Sequence, residues 1–118
     1  METVAAHSDL VRSVEVIGVS VTNPIKEKLG VIYEIVIDKF TGQVAYAVLE
    51  CNGFLGLGGK FLAIPWRALK YSPGEVAFLV SLTKKQLEEA PGFDEENWPK
   101  EFDLNWNKTI SAYYDYLL

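Results

Sequence analysis

The sequence predicts a mainly β domain, a small closed barrel or sandwich, followed by a short helical C-terminal tail. Three observations carry that prediction. Up to about Ser81, short β-branched and aromatic stretches recur at close spacing between turn signals. No strand in this region is followed by the amphipathic helix that a parallel crossover needs. From Thr83 onward the apolar spacing changes to three and four residues, and acidic side chains gather between them. One β domain is therefore expected over residues 13–82, with residues 83–118 as a helical extension that packs on the barrel or on a partner subunit.

The elements follow in order. In "VSVTNP" the alternation of Val19 and Val21 leads into a turn at Asn23 and Pro24, and "KEKLG" carries the chain to a second strand, "VIYEIVID". Val31, Tyr33, Ile35 and Ile37 would share one side of that strand and Ile32, Glu34, Val36 and Asp38 the other, one face buried and one half covered. "DKFTG" supplies a tight turn in which Gly42 suits the left-handed position of a bulged hairpin. "QVAYAVLEC" is a third strand. "KFLAIP" is a fourth, ending at Pro65, which has no N–H to give a ladder. "WRALKY" makes a short irregular crossing, "SPGE" a hairpin turn, and "EVAFLVSL" completes the β part. Thr83 with Gln86 is a capping-box pattern opening a helix, "KKQLEEA", that Pro91 and Gly92 stop. In "NWNKTISAYYDYLL" the apolar residues Trp106, Ile110, Tyr113, Tyr114 and Leu117 describe a terminal amphipathic helix that needs a surface to dock on.

Composition narrows the functions. A chain of 118 residues is one domain's length. Eleven basic against sixteen acidic residues give a net charge of -5, which argues against a nonspecific grip on nucleic acid or on anionic lipid. Cys51 is the single cysteine, so no internal disulfide can form, and Cys51 with the single histidine, His7, cannot build a zinc site. The N-terminal residues lack the pattern of a secretory signal, and no segment approaches the roughly 18 apolar residues of a membrane span. A cytoplasmic protein with no membrane span and no nucleic acid partner is expected.

The stretch that looks most like a ligand loop is "ECNGFLGLGGKFLAIPW". A phosphate-binding P-loop needs a glycine where Phe54 stands and a hydroxyl where Phe61 stands. A dinucleotide fingerprint needs its third glycine at Phe61, and both motifs need a helix after the loop where "KFLAIP" reads as a strand. Gly53, Gly56, Gly58 and Gly59 are therefore read as structural, letting the backbone turn between two strands and display Phe54 and Leu55.

Other candidate chemistry is weaker still. Glu88, Glu89, Asp94, Glu95 and Glu96 lack calcium-loop spacing and read as a solvated face. His7 lies in a polar terminus, and Cys51, without a nearby cation in sequence, reads as a small apolar filler. No catalytic residue, metal ligand or cofactor is expected. Trp66, Trp98 and Trp106 read as packing anchors, and some of the aromatic surplus as interface.

The stretches "KLGVIYEIVIDKFTGQVAYAVLE", "GFLGLGGKFLAIPWRAL", "APGFDEENWP" and "AYY" resemble the PRC-barrel domain family, over about Ser13 to Tyr114. That family includes the cytoplasmic domain of the photosynthetic reaction centre H subunit and the C-terminal domain of a ribosome maturation factor. The resemblance implies a small, strongly bent antiparallel barrel of about six strands. It implies an adaptor or assembly module without a common catalytic motif. A noncatalytic, self-associating module is therefore expected, a dimer before any larger homo-oligomer, with room for a further protein partner. The alternative is a regulatory domain binding a small molecule or an ion at the barrel mouth or the acidic tail. The candidate contact residues are Phe54, Leu55, Trp106, Tyr113, Tyr114 and Tyr116, and the structural ones Gly42, Gly53, Gly56, Gly58, Gly59, Pro65 and Trp66.

Overall fold

The structure is a computed structural model that describes residues 10–51, 60–94 and 104–117. It begins with a single helical turn, α1 (Ser13–Val16), which the sequence pattern does not announce. The Glu15 carboxylate accepts the Arg12 N–H at 3.0 Å, and Val16 turns into the core.

Strand β1 (Ser20–Thr22) pairs antiparallel with β2 (Lys28–Ile37). The turn between them is built on Asn23. Its Oδ1 accepts the Glu27 N–H at 3.0 Å and its backbone carbonyl accepts the Lys26 N–H at 2.8 Å. A hairpin leads to β3 (Val44–Glu50), and there Asp38 Oδ1 accepts the N–H groups of Phe40 and Thr41 at 2.9 and 3.1 Å. Gly42 follows at φ +79°, the left-handed position expected of it.

Strand β4 (Lys60–Pro65) ends at its proline, as expected, and passes into a 3-10 turn, Trp66–Ala68. A tight turn then joins β5 (Lys70–Ser72) to β6 (Ala77–Leu79). Helix α2 (Lys84–Glu88) carries the complete capping box: Thr83 Oγ1 accepts the Gln86 N–H at 3.1 Å, and Gln86 Oε1 accepts the Thr83 N–H at 2.9 Å. Pro91 and Gly92 do end the helical region, but Gly92 also starts a short strand, β7 (Gly92–Asp94), laid antiparallel on β4. The last element is the expected terminal helix, α3 (Leu104–Leu117).

The strands form one sheet in the order β5-β6-β1-β2-β3-β4-β7. The mainly β, bent architecture with a helical tail is as expected. It differs from an all-antiparallel closed ring of six strands in three ways. Among the described residues there are seven strands, β1 and β6 run parallel, and the ladder has β5 and β7 at its two margins. The parallel seam is reinforced by the Val80 N–H, which donates to the Thr22 carbonyl at 2.9 Å.

Register breaks bend the sheet, one between Val21 and Thr22 and two along β2. They also correct the expected alternation of β2. Ile32 is fully buried, whereas Tyr33 and Ile37, placed on the apolar side by simple alternation, are 41% and 54% exposed. Tyr33 falls in the break between Ile32 and Glu34, and one extra residue is enough to hand side chains from one face to the other.

The core runs through β3 and β4, where Tyr46–Leu49 and Phe61–Pro65 are buried on both faces. Helix α3 lies on β4 and adds Ile110 and Tyr114 to the same core cluster.

Candidate interaction surface

The β2–β3 hairpin projects past β1. Strand β1 pairs with β2 only from Lys28 to Val31, and the Gly18 N–H and Val19 carbonyl extend that contact to Ile32. Beyond it, from Glu34 to Ile37, β2 pairs with β3 alone among the described residues. At the tip, Asp38 holds the turn in one shape and Phe40 stands 90% exposed, with the Lys39 ammonium 5.8 Å from its ring centroid. Large apolar side chains on a hydrogen-bonded turn can dock at little conformational cost, because the backbone is already ordered.

A second cluster is internal. Cys51, at the end of β3, is fully buried, and burial followed by the nearby Glu50 charge pushes its thiol up to about 11. That holds it neutral, as an apolar filler and not a nucleophile. Tyr114 is also fully buried; burial, then the neighbouring Tyr113 and Cys51, raise its phenol above the ordinary value. Its hydroxyl has no hydrogen-bond partner among the described residues. The half-buried Tyr113 stacks edge-on against Tyr114 and donates its hydroxyl proton to the Gln86 carbonyl, tying α3 to α2.

These positions revise the expected contact residues. Tyr114 is enclosed by its own chain and offers nothing to a partner. Tyr113 keeps a half-exposed ring. Phe54, Leu55 and the structural glycines Gly53, Gly56, Gly58 and Gly59 lie outside the described residues, as do the side chains of Trp106 and Tyr116. Among the structural residues, Pro65 is buried opposite Tyr46, and Trp66 packs on Phe78 with ring centroids 5.5 Å apart.

Two structural residues escaped the sequence reading. A Cβ on Gly30 would stand 2.7 Å from the Glu50 carbonyl oxygen, so β2 crosses β3 there at a distance only glycine allows. Asn23 is a buried polar residue that, besides its partners within the turn, donates to the distant Leu82 carbonyl. A glycine inside a strand pattern is a signal for the first, whereas nothing local distinguishes Asn23 from an ordinary turn asparagine.

A shallow concavity of about 390 Å³ lies between the 3-10 turn, β5 and α3, lined by Arg67, Ala68, Lys70, Ser81 and Leu117. Arg67 is bridged there to Asp115, both exposed. Among the described residues, no group of three or more His, Cys, Asp or Glu side chains is placed to hold a metal ion, and no helix is long and apolar enough to cross a membrane. Glu88 and Glu89 are exposed and Asp94 is half-buried.

A bent, mostly antiparallel sheet carrying a C-terminal helix on its fourth strand defines a class of small β-barrel domain. The particular family is shown by sequence: the PRC-barrel domain model matches residues 8–87, most of the chain, and the chain belongs to that family. No curated protein matches it. Among solved structures it is similar to the Pseudomonas aeruginosa protein assigned to 16S ribosomal RNA processing, RimM, at 14% identity and a TM-score of 0.47. That match covers 68% of this chain, which spans about half (48%) of the solved one.

Proposed function

We propose that this chain is a noncatalytic protein-interaction and assembly module that associates with itself, a dimer being the simplest form. The observation that carries the reading is the coexistence of a well-filled core with large apolar side chains left on the surface, Ile37 and Phe40 foremost. Membership of the PRC-barrel family supports it. The half-exposed Tyr113, together with Phe54, Leu55, Trp106 and Tyr116, completes the set of proposed contacts.

Sedimentation equilibrium over tens of micromolar tests the reading, with a concentration-dependent dimer expected. A chain that stays monomeric throughout overturns self-association. In a dimer, replacing Phe54 and Leu55 by serine is expected to weaken association without altering the far-ultraviolet circular dichroism. A variant dimer as tight as the parent removes that loop from the interface.

A further inference from the structure

We propose that α3 is a displaceable strap over Cys51: it lifts from β4 while the sheet stays folded, and exchange of the uncovered thiol with a small disulfide then holds it off. This redox-sensitive device goes beyond the association put forward above and does not depend on it.

The first observation is how α3 is attached. The ladder from β5 to β7 is hydrogen-bonded strand to strand, and α3 adds no rung to it. The family match ends at residue 87, so α3, Leu104–Leu117, stands outside the domain it defines. Ile110 and Tyr114 seat the helix in the core cluster, and two of its polar ties are the Tyr113 hydroxyl to the Gln86 carbonyl and Asp115 to Arg67. The second joins two exposed side chains and holds weakly. Lifting α3 therefore breaks a local set of contacts and no ladder hydrogen bond, the condition for a helix to open below the free energy of global unfolding.

The second observation is what the seat encloses. The Tyr114 hydroxyl is fully buried with no partner among the described residues, and lifting α3 returns it to water, so the closed state carries a desolvation cost that the open state sheds. Cys51 shares the core cluster with Tyr114, and its ionisation bears on the Tyr114 phenol, which sets thiol and hydroxyl on the same side of the seat. With the helix down, the thiol is wholly enclosed. With the helix up, Cys51 Sγ loses its proton to water and attacks one sulfur of a small disulfide; the new S–S bond forms as the old one breaks, and the second sulfur departs as thiolate. A closely packed core does not take up extra heavy atoms without strain, so the mixed disulfide acts as a wedge under α3 until a reducing thiol removes it.

The test uses the full chain and follows reaction of Cys51 with dithiodipyridine at about pH 8, in urea below the unfolding transition. Labelling through a lifted α3 is expected to depend only weakly on urea. Tyr113→Phe, which loosens the helix, is expected to speed labelling about fivefold, and Tyr114→Phe, which relieves the closed state, to slow it several-fold. Gly42→Ala, in the β2–β3 turn, lowers global stability about as much as Tyr113→Phe and is expected to leave the rate unchanged. If labelling instead climbs with the full urea slope of unfolding and Gly42→Ala speeds it as much as Tyr113→Phe, only global unfolding uncovers the thiol and the strap is overturned. If neither tyrosine variant moves the rate, the thiol is reached by another route and the strap is again overturned. The adduct with cystamine is expected to lose amide-exchange protection along α3 while β3 and β4 keep theirs, and to regain it on treatment with dithiothreitol. An adduct whose α3 is as protected as the parent's overturns the switch.

Discussion

The side-chain amide of Asn23 donates to the Leu82 carbonyl at 3.2 Å across 59 positions of sequence, joining the β1–β2 turn to the segment that enters α2. The same amide donates to Glu27 Oε1 at 2.8 Å, so both of its protons are used while the residue is only 2% exposed. Asn23→Leu leaves the Leu82 carbonyl and the Glu27 N–H short of a partner. A loss of about 2–4 kcal/mol is expected in urea unfolding, above the surface-substitution range.

Two glycines separate two causes of intolerance. Gly30→Ala forces a methyl to within 2.7 Å of a backbone oxygen, where neither strand can yield easily, and about 3 kcal/mol of destabilisation is expected. Gly42→Ala meets nothing within 4 Å and bears only the left-handed backbone cost, about 1 kcal/mol. Thermal unfolding of the two variants is expected to rank them in that order.

Tyr113 and Tyr114 are adjacent, yet removal of their hydroxyls is expected to act in opposite directions. Tyr113→Phe breaks the bond to the Gln86 carbonyl and costs about 1 kcal/mol. Tyr114→Phe removes a buried hydroxyl without a partner among the described residues, and stability is expected to hold or rise by up to about 1 kcal/mol. Tyr114→Ala, which empties the site of the ring, is expected to cost about 4 kcal/mol. Chemical denaturation of the three variants checks the pattern.

Alkaline pH provides another test. The Cys51 thiol ionises near 11 when folded, against an ordinary 9.0. A thiol harder to ionise in the folded chain than in the unfolded one contributes stability that is complete below pH 9 and lost as pH rises through 11. Urea midpoints of the parent are therefore expected to fall more steeply over that window than those of Cys51→Ala, the difference approaching roughly 2 kcal/mol. Reaction of the native thiol with a disulfide reagent is expected to be slow at pH 8 and to accelerate on unfolding.

Where the chemistry is local, the sequence is readable. Pro65 ends β4 because it lacks an N–H, Gly42 takes a turn position closed to most residues, and Thr83 with Gln86 opens α2, each within a few residues. Features set by distant contacts are not. Strand β7 has three residues and exists because Phe93 meets Phe61, a pairing that no pattern around Pro91 announces. The break at Tyr33 depends on how β3 passes β2, so alternation alone misplaces Tyr33 and Ile37. For Tyr114, helical spacing identifies an apolar face but not what covers it, and the covering surface is β4.

The parallel β1–β6 seam has a consequence for the order in which the chain folds. The hairpin between β2 and β3 closes over a short turn, whereas Val21 meets Phe78 only after a loop of more than fifty residues has been gathered. Late closure is expected for such a contact, since the entropy of the loop is spent before the seam returns any of it. Disruption of the Asn23–Leu82 latch beside the seam should then accelerate unfolding and leave the refolding limb of a chevron nearly in place. Disruption of the β2–β3 turn at Asp38 should slow refolding instead. On this view the long antiparallel hairpin is the nucleus, and the parallel seam is the clasp fastened after it.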